Sequence, residues 1–312
     1  MASRDSRILV VGCGFIGSNI VEQLADSGEA PAVLTRSEPA AEVAARIPDG
    51  DLIVGDATDP ETVERALEGA EHVIFSAGGL LPAASEQDPE RDAELTLGPV
   101  RTVLERLRER PGVGLTYLSS GGTVYGEPKQ TPVSEDAPTA PLGAYGRLHL
   151  QCETEVLAAS REHGLPARIL RCATVYGEHQ RPDRGQGAVV TFLHRIEHGE
   201  PIELYGGGAT VRDYVYAGDV ARATIALIEA GGPATINVGS GRGTSLLELL
   251  QAVEREVGRE AVVHRHEPRG FEVGQIVLDT ALLHQTVELE ITDLATGIAR
   301  THRWLTERPE AS

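Results

Sequence analysis

Short runs of apolar, often β-branched residues alternate along the first half of the chain with stretches whose apolar positions repeat at helical spacing. Ile8 to Val11 precedes the periodic stretch Ile16 to Ala25, Ala32 to Leu34 precedes Glu42 to Arg46, and Leu52 to Val54 precedes Thr62 to Leu67. The short runs suit strands covered on both faces, and the longer ones suit helices with one face on that sheet. This alternation predicts βα units and a parallel sheet. It continues with Val73 to Phe75, a long helix within Pro89 to Arg108, Leu115 to Leu118, a helix from about Tyr145 to Glu162, and Arg168 to Leu170, so at least six buried strands are expected. Pro82 to Pro89 and Glu127 to Pro141 read as polar, proline-bearing loops. After Gly177 the spacing loosens, with a glycine-rich turn at Tyr205 to Gly208 and helices near Val189 to Glu197, Gly218 to Ile228 and Ser245 to Val257.

The expected fold is α/β: a doubly wound parallel sheet over residues 1–175, and a smaller mixed α/β region over 176–312 that binds substrate and is interleaved with returns to the main sheet. A length of 312 residues suits one main domain with a smaller appended region. The formal charge of -19, from 47 acidic and 28 basic residues, argues against nucleic acid and against anionic membrane, since both require a basic face. Cys13, Cys152 and Cys172 are far apart in apolar stretches and lack disulfide or metal spacing, as expected of reduced core residues in a cytoplasmic protein. No apolar run approaches membrane-spanning length. His264 and His266 alternate along a strand-like pattern without a third ligand, so no metal is expected.

Gly12-Cys13-Gly14-Phe15-Ile16-Gly17 follows the first predicted strand and opens the first predicted helix. A G-x-G-x-x-G in that place is the fingerprint of a Rossmann-type dinucleotide site: glycine lets the backbone turn and approach a pyrophosphate, and the helix end presents free N–H groups. The second strand ends in Leu34-Thr35-Arg36-Ser37, with no acid for an adenosine ribose. Arg36 can instead pair with a 2′-phosphate, so the choice between NAD and NADP stays open. Asp56 and Ala57, after the third strand, are placed to meet an adenine edge, and Asp56 is equally suited to cap the helix beginning near Pro60.

Ser119-Ser120-Gly121-Gly122-Thr123-Val124-Tyr125-Gly126 follows an apolar strand, and Ala144-Tyr145-Gly146-Arg147-Leu148-His149 follows some twenty residues later. With the glycine motif, Arg212-Asp213-Tyr214-Val215-Tyr216, Asn237-Val238-Gly239-Ser240-Gly241 and His266 to Val273, the chain resembles the extended short-chain dehydrogenase/reductases. It is similar in particular to their nucleotide-sugar epimerases and dehydratases. The resemblance implies Tyr145 as general base, removing a sugar hydroxyl proton while the adjacent carbon gives hydride to a nicotinamide. Such a phenol needs a pKa below its usual value near 10, which nearby positive charge and a hydroxyl hydrogen bond supply. Relatives place lysine four residues after the tyrosine, where this chain has His149; the same resemblance makes His149 a nicotinamide-ribose contact and adds Ser76 and Ala77 to the cofactor site. Gly121 stands where many relatives have serine or threonine, so Ser120 or Thr123 is the expected hydroxyl partner.

The chain lacks the Asp-Glu pair of the related 4,6-dehydratases, which leaves 4-epimerisation with NAD, or 4-keto reduction with NADP. Thr174-Val175-Tyr176-Gly177 with Arg181-Pro182-Asp183 resembles the UDP-glucuronate 4-epimerases, and Arg181 is the candidate for a C6 carboxylate. Arg181 is equally suited to tie down its loop. By resemblance Ser119, Ser120, Thr123 and Thr174 face the sugar, Arg212 and Arg269 hold the substrate diphosphate, and the enzyme is a homodimer through its two long helices. A dinucleotide-binding protein without turnover is the non-enzymatic alternative.

Overall fold

The computed structural model describes residues 7–184, 187–267 and 274–307. Six strands come from the first half of the chain: β1 (Arg7–Val11), β2 (Pro31–Thr35), β3 (Leu52–Val54), β4 (Ala70–Phe75), β5 (Gly114–Ser120) and β6 (Ala167–Cys172). Three short strands follow, β7 (Thr174–Tyr176), β8 (Ile202–Tyr205) and β9 (Val211–Tyr216), before β10 (Thr235–Val238) returns to pair with β6. The main sheet runs β10-β6-β5-β4-β1-β2-β3 and every pairing in it is parallel. The strand order reverses between β1 and β4, where an open α/β sheet has its ligand crevice. The seventh strand was not visible in the apolar pattern of the first half because it comes from residues 235–238.

The smaller region holds β11 (Gly243–Ser245), β12 (Val263–His266) and β13 (Gln275–Ile276). β9 pairs with β7, β11 and β13, and β8 pairs with β12. The helix Leu246–Val257 starts at a capping box in which Ser245 and Glu248 satisfy each other's backbone N–H groups.

The helix Ala144–His163 packs against Pro89–Leu107 on one side of the main sheet, and Phe15–Asp26 packs against Ala217–Ala230 elsewhere in the core. Leu148, Cys152, Val156 and Ala159 form the buried stripe of the helix Ala144–His163, and Gly164, with φ of 69°, ends it in the left-handed region. The segment Pro82–Gln87, expected as a loop, is a helix with proline in its first turn, a position where the missing N–H costs no intrahelical bond. Asp88 then caps the next helix by accepting the Arg91 N–H at 3.0 Å.

Candidate active site

A cleft of about 630 Å³ opens where the strand order reverses. Gly12, Gly14, Arg36, Asp56, Ala57, Ser76 and Ala77, all candidates for cofactor contact, line it. Phe15, Ile16 and Gly17 stand just behind, at the start of the helix Phe15–Asp26. The three motif glycines have separate physical reasons. Gly12 has φ of +94°, and a Cβ there would come 2.5 Å from the Ala77 backbone. A Cβ on Gly17 would strike the Gly12 carbonyl, so this glycine permits close helix-to-strand packing. Nothing lies within 4 Å of a Cβ built on Gly14, which leaves its backbone open to a ligand. This cradle fits a dinucleotide pyrophosphate at the helix end.

The Ser76 hydroxyl donates to the Gly12 carbonyl at 2.7 Å and so ties β4 to the glycine turn. Of the two roles open to Asp56, the structure supports the cleft wall. Its Oδ1 accepts the Thr58 N–H at 2.8 Å, whereas Asp59 caps the helix Pro60–Ala66. Backbone and side-chain hydrogen bonds from Thr58 hold the Asp56 carboxyl below its usual range, and Arg36 contributes in the same direction.

Tyr145 and His149 stand one helical turn apart on the helix Ala144–His163, with ring centroids 4.4 Å apart. Gly146 lets this helix end meet the turn Gly121–Val124, since a Cβ on it would lie 2.9 Å from the Thr123 carbonyl. Tyr145 is half-buried, and burial pushes its phenol well above the usual value, with the Asp92 carboxylate adding to the rise. His149 is only 6% exposed. Burial lowers its pKa to about 4, against an opposing pull from Asp92, so at neutral pH the ring carries no charge. Its Nδ1 lies 2.9 Å from the Tyr117 hydroxyl. Position 149 therefore supplies no positive charge at neutral pH.

The serine and threonine hydroxyls separate into different roles. Ser119 was expected at the sugar, but its hydroxyl donates to the buried Glu153 Oε1 at 2.6 Å and serves the interior. Strand alternation sends Ser120 the other way, and its hydroxyl makes no hydrogen bond among the described residues. Thr123 donates to the Ser120 carbonyl at 3.2 Å, within its own turn. Thr174 is adjacent, with its hydroxyl 4.0 Å from a Cβ built on Gly122.

Arg181 is 56% exposed on its side chain and pairs with Asp183, Nε to Oδ1 at 3.0 Å and Nη2 to Oδ2 at 2.6 Å. One edge of the guanidinium, Nε and Nη2, is thus engaged within the loop. Arg212 lies on β9 and donates to the Val211 carbonyl at 2.8 Å. Arg269 lies outside the described residues. His264 and His266 both pair with the exposed Glu203, and no metal-binding group of three ligands occurs among the described residues.

Several residues beneath the site escaped the sequence reading. Arg171 and Glu153 form a buried ion pair; Arg171 also donates to the Tyr125 hydroxyl at 3.0 Å, and that hydroxyl donates to Asn237 Oδ1 at 2.7 Å. Asp92, 1% exposed, accepts the Leu80 N–H at 2.7 Å and the Thr96 hydroxyl at 3.0 Å, while Thr96 accepts the Gly79 N–H at 3.0 Å. Together Asp92 and Thr96 hold the 78–80 loop at the cleft. The signal for both groups was a charged residue at a core position of a strand or helix, which only a partner makes tolerable.

Comparison with known proteins agrees with this geometry. A sequence model of the NAD dependent epimerase/dehydratase family matches residues 8–239. The chain is 31% identical over 306 residues to a UDP-glucose 4-epimerase of Mycolicibacterium smegmatis, covering 95% of this chain and 97% of that one. The structure is similar to that of the Thermotoga maritima UDP-glucose 4-epimerase with UDP-glucose, with a TM-score of 0.89, 29% identity, and coverage of 96% of this chain and 99% of that one. It is also similar to the Thermus thermophilus UDP-glucose 4-epimerase in complex with NAD, with a TM-score of 0.85, 32% identity and coverage of 96% and 99%. No helix among the described residues is long and apolar enough to cross a membrane. From the glycine cradle, the Tyr145 site and the extent of these matches, the chain belongs to the NAD dependent epimerase/dehydratase family.

Proposed function

We propose that this protein is a UDP-hexose 4-epimerase that interconverts UDP-glucose and UDP-galactose, with NAD as its resident cofactor. The observation that carries the reading is the half-buried Tyr145 packed on His149 at a helix end that meets the turn Gly121–Val124, in a chain whose cleft has the glycine cradle for a dinucleotide. Bound NAD supplies reversible hydride acceptance and a positive charge. Tyr145 takes the proton of the sugar O4 as that carbon is oxidised and returns it when the carbon is reduced from the opposite face. Ser120 provides the hydroxyl that steadies O4, because Ser119 is bonded to Glu153 and Thr123 to its own turn. Asp92, Thr96 and Ser76 hold the loop and strand ends that shape the cleft.

UDP-hexoses are preferred to UDP-uronates because the Arg181 guanidinium is already paired in bidentate fashion by Asp183. The uronate pair, UDP-glucuronate and UDP-galacturonate, is the second reading: it is favoured by Thr174 beside Gly122 and requires Arg181 to exchange Asp183 for the sugar carboxylate. Side-by-side incubations of purified protein with NAD and each of the four UDP-sugars, followed through the anomeric proton signals, test the choice. The proposal predicts a stable UDP-glucose/UDP-galactose mixture and faster turnover of that pair. Turnover of the uronates alone would favour the second reading, and consumption of added NADPH by a 4-keto sugar without epimerisation would assign a reductase through Arg36.

A further inference from the structure

We infer that Tyr117 is a positioning residue for His149: its hydroxyl donates to Nδ1 and so holds the imidazole in the tautomer that carries its proton on Nε2. Nothing in the glycine or Tyr145 motifs assigns a role to Tyr117. The bond is 2.9 Å long and buried, with Tyr117 1% and His149 6% exposed.

The direction of donation follows from the neighbours of the phenol. Besides His149, the Cys152 thiol is the polar side chain that acts most strongly on the phenol. Burial pushes that thiol up to about 12, so it keeps its proton. An imidazole nitrogen is a strong acceptor and a thiol sulfur a weak one. The single phenol proton therefore goes to Nδ1. A neutral imidazole whose Nδ1 accepts must carry its proton on Nε2.

Nε2 itself has no partner among the described residues, which leaves its N–H available to a ligand. An ammonium presents three donors and orients itself, whereas an imidazole presents one. A histidine at position 149 consequently needs a second residue to set its donor, and Tyr117 provides that. The bearing on cofactor binding rests on the proposed function; the tautomer does not.

The test is long-range proton–nitrogen NMR on the full-length protein labelled with ring nitrogen-15 histidine, the His149 signals being assigned by their loss in His149→Gln. The wild-type spectrum should show a neutral Nε2–H ring at pH 7, and Tyr117→Phe should convert it to a mixture of tautomers. Calorimetric titration should show NAD binding weakened about fivefold by Tyr117→Phe, the equivalent of one ordinary hydrogen bond. In a His149→Lys background the same Tyr117→Phe change should leave NAD affinity unmoved, as a merely structural tyrosine would not. An Nδ1–H tautomer or an imidazolium in the wild-type protein overturns the inference without need of any Tyr117 variant, as does an unchanged tautomer in Tyr117→Phe. If the tautomer is as stated and no UDP-sugar is epimerised, the proposed function fails and this inference stands.

Discussion

Arg171 and Glu153 are joined by a 2.7 Å ion pair, with side chains 8% and 2% exposed, that fastens β6 to the helix carrying Tyr145. Glu153 lies eight residues after Tyr145, a little over two turns along the same helix. The carboxylate also accepts Ser119, and the guanidinium also reaches Tyr125, so the charges are satisfied as a group. Removing one partner would strand the other in the interior, a loss of roughly 3–5 kcal/mol. Glu153→Gln should lower the unfolding free energy in urea by about that amount. A change below about 1 kcal/mol would show that the pair does not hold this helix to the sheet.

Gly121 does not mark a lost hydroxyl that can simply be put back. A Cβ there would come 2.7 Å from Leu278 Cδ1 and 2.9 Å from the Arg171 carbonyl. Gly121→Ser should therefore lower both melting temperature and turnover, by about 1–3 kcal/mol in stability for such overpacking. Increased activity in this variant would mean that the turn shifts to present the new hydroxyl.

Tyr145→Phe should reduce turnover by about 10²- to 10⁴-fold while cofactor affinity changes little, as expected for loss of an acid–base group. Ser120→Ala should have a smaller effect in the same direction, and Thr123→Val a smaller one still. A Thr123 variant more damaged than the Ser120 variant would exchange their roles.

Activity should rise with pH, because burial and Asp92 hold the free Tyr145 phenol protonated and the neutral His149 offers no opposing charge. His149→Lys should shift the acid limb of kcat to lower pH by bringing a cation to Tyr145. An unmoved limb would place the charge that ionises Tyr145 wholly on the bound cofactor.

Acid should destabilise the fold through two neutral histidines, the buried His149 and the half-buried His72. His72, which bonds Thr116 at 2.8 Å, and His149 both have pKa values lowered to about 4 by burial. Between pH 6.5 and 4 the unfolded chain binds more protons at these rings than the folded one, so stability falls as pH falls, by up to about 3 kcal/mol for each ring. Melting temperatures measured from pH 7 to 4 should decline across this window, and less steeply in His72→Gln. A flat profile would show that both rings are charged in the folded protein.

The parallel sheet was legible because its strands are buried on both faces and read as unbroken apolar runs, as Ile8 to Val11 and Leu115 to Leu118 do. The glycine cradle was legible because Gly12, Gly14 and Gly17 each answer a backbone constraint within a few residues of chain. β10 was harder to place, since a four-residue strand far along the chain carries no sign of which neighbour it joins. Asp92, Tyr117, Glu153 and Arg171 were illegible as site residues because their roles depend on partners 4 to 46 residues away, brought together only by the fold. Arg181 shows the converse: a residue type suited to a carboxylate sits two positions before the carboxylate that takes it.

The most direct test of the central claim uses UDP-glucose deuterated at C4, incubated with the protein and NAD and followed by NMR and by absorbance of reduced cofactor. The account predicts UDP-galactose that retains its C4 deuterium, the same final mixture from either sugar, and no net accumulation of NADH. Absence of UDP-galactose despite confirmed NAD binding, or a product whose C4 deuterium has been lost to solvent, would contradict it.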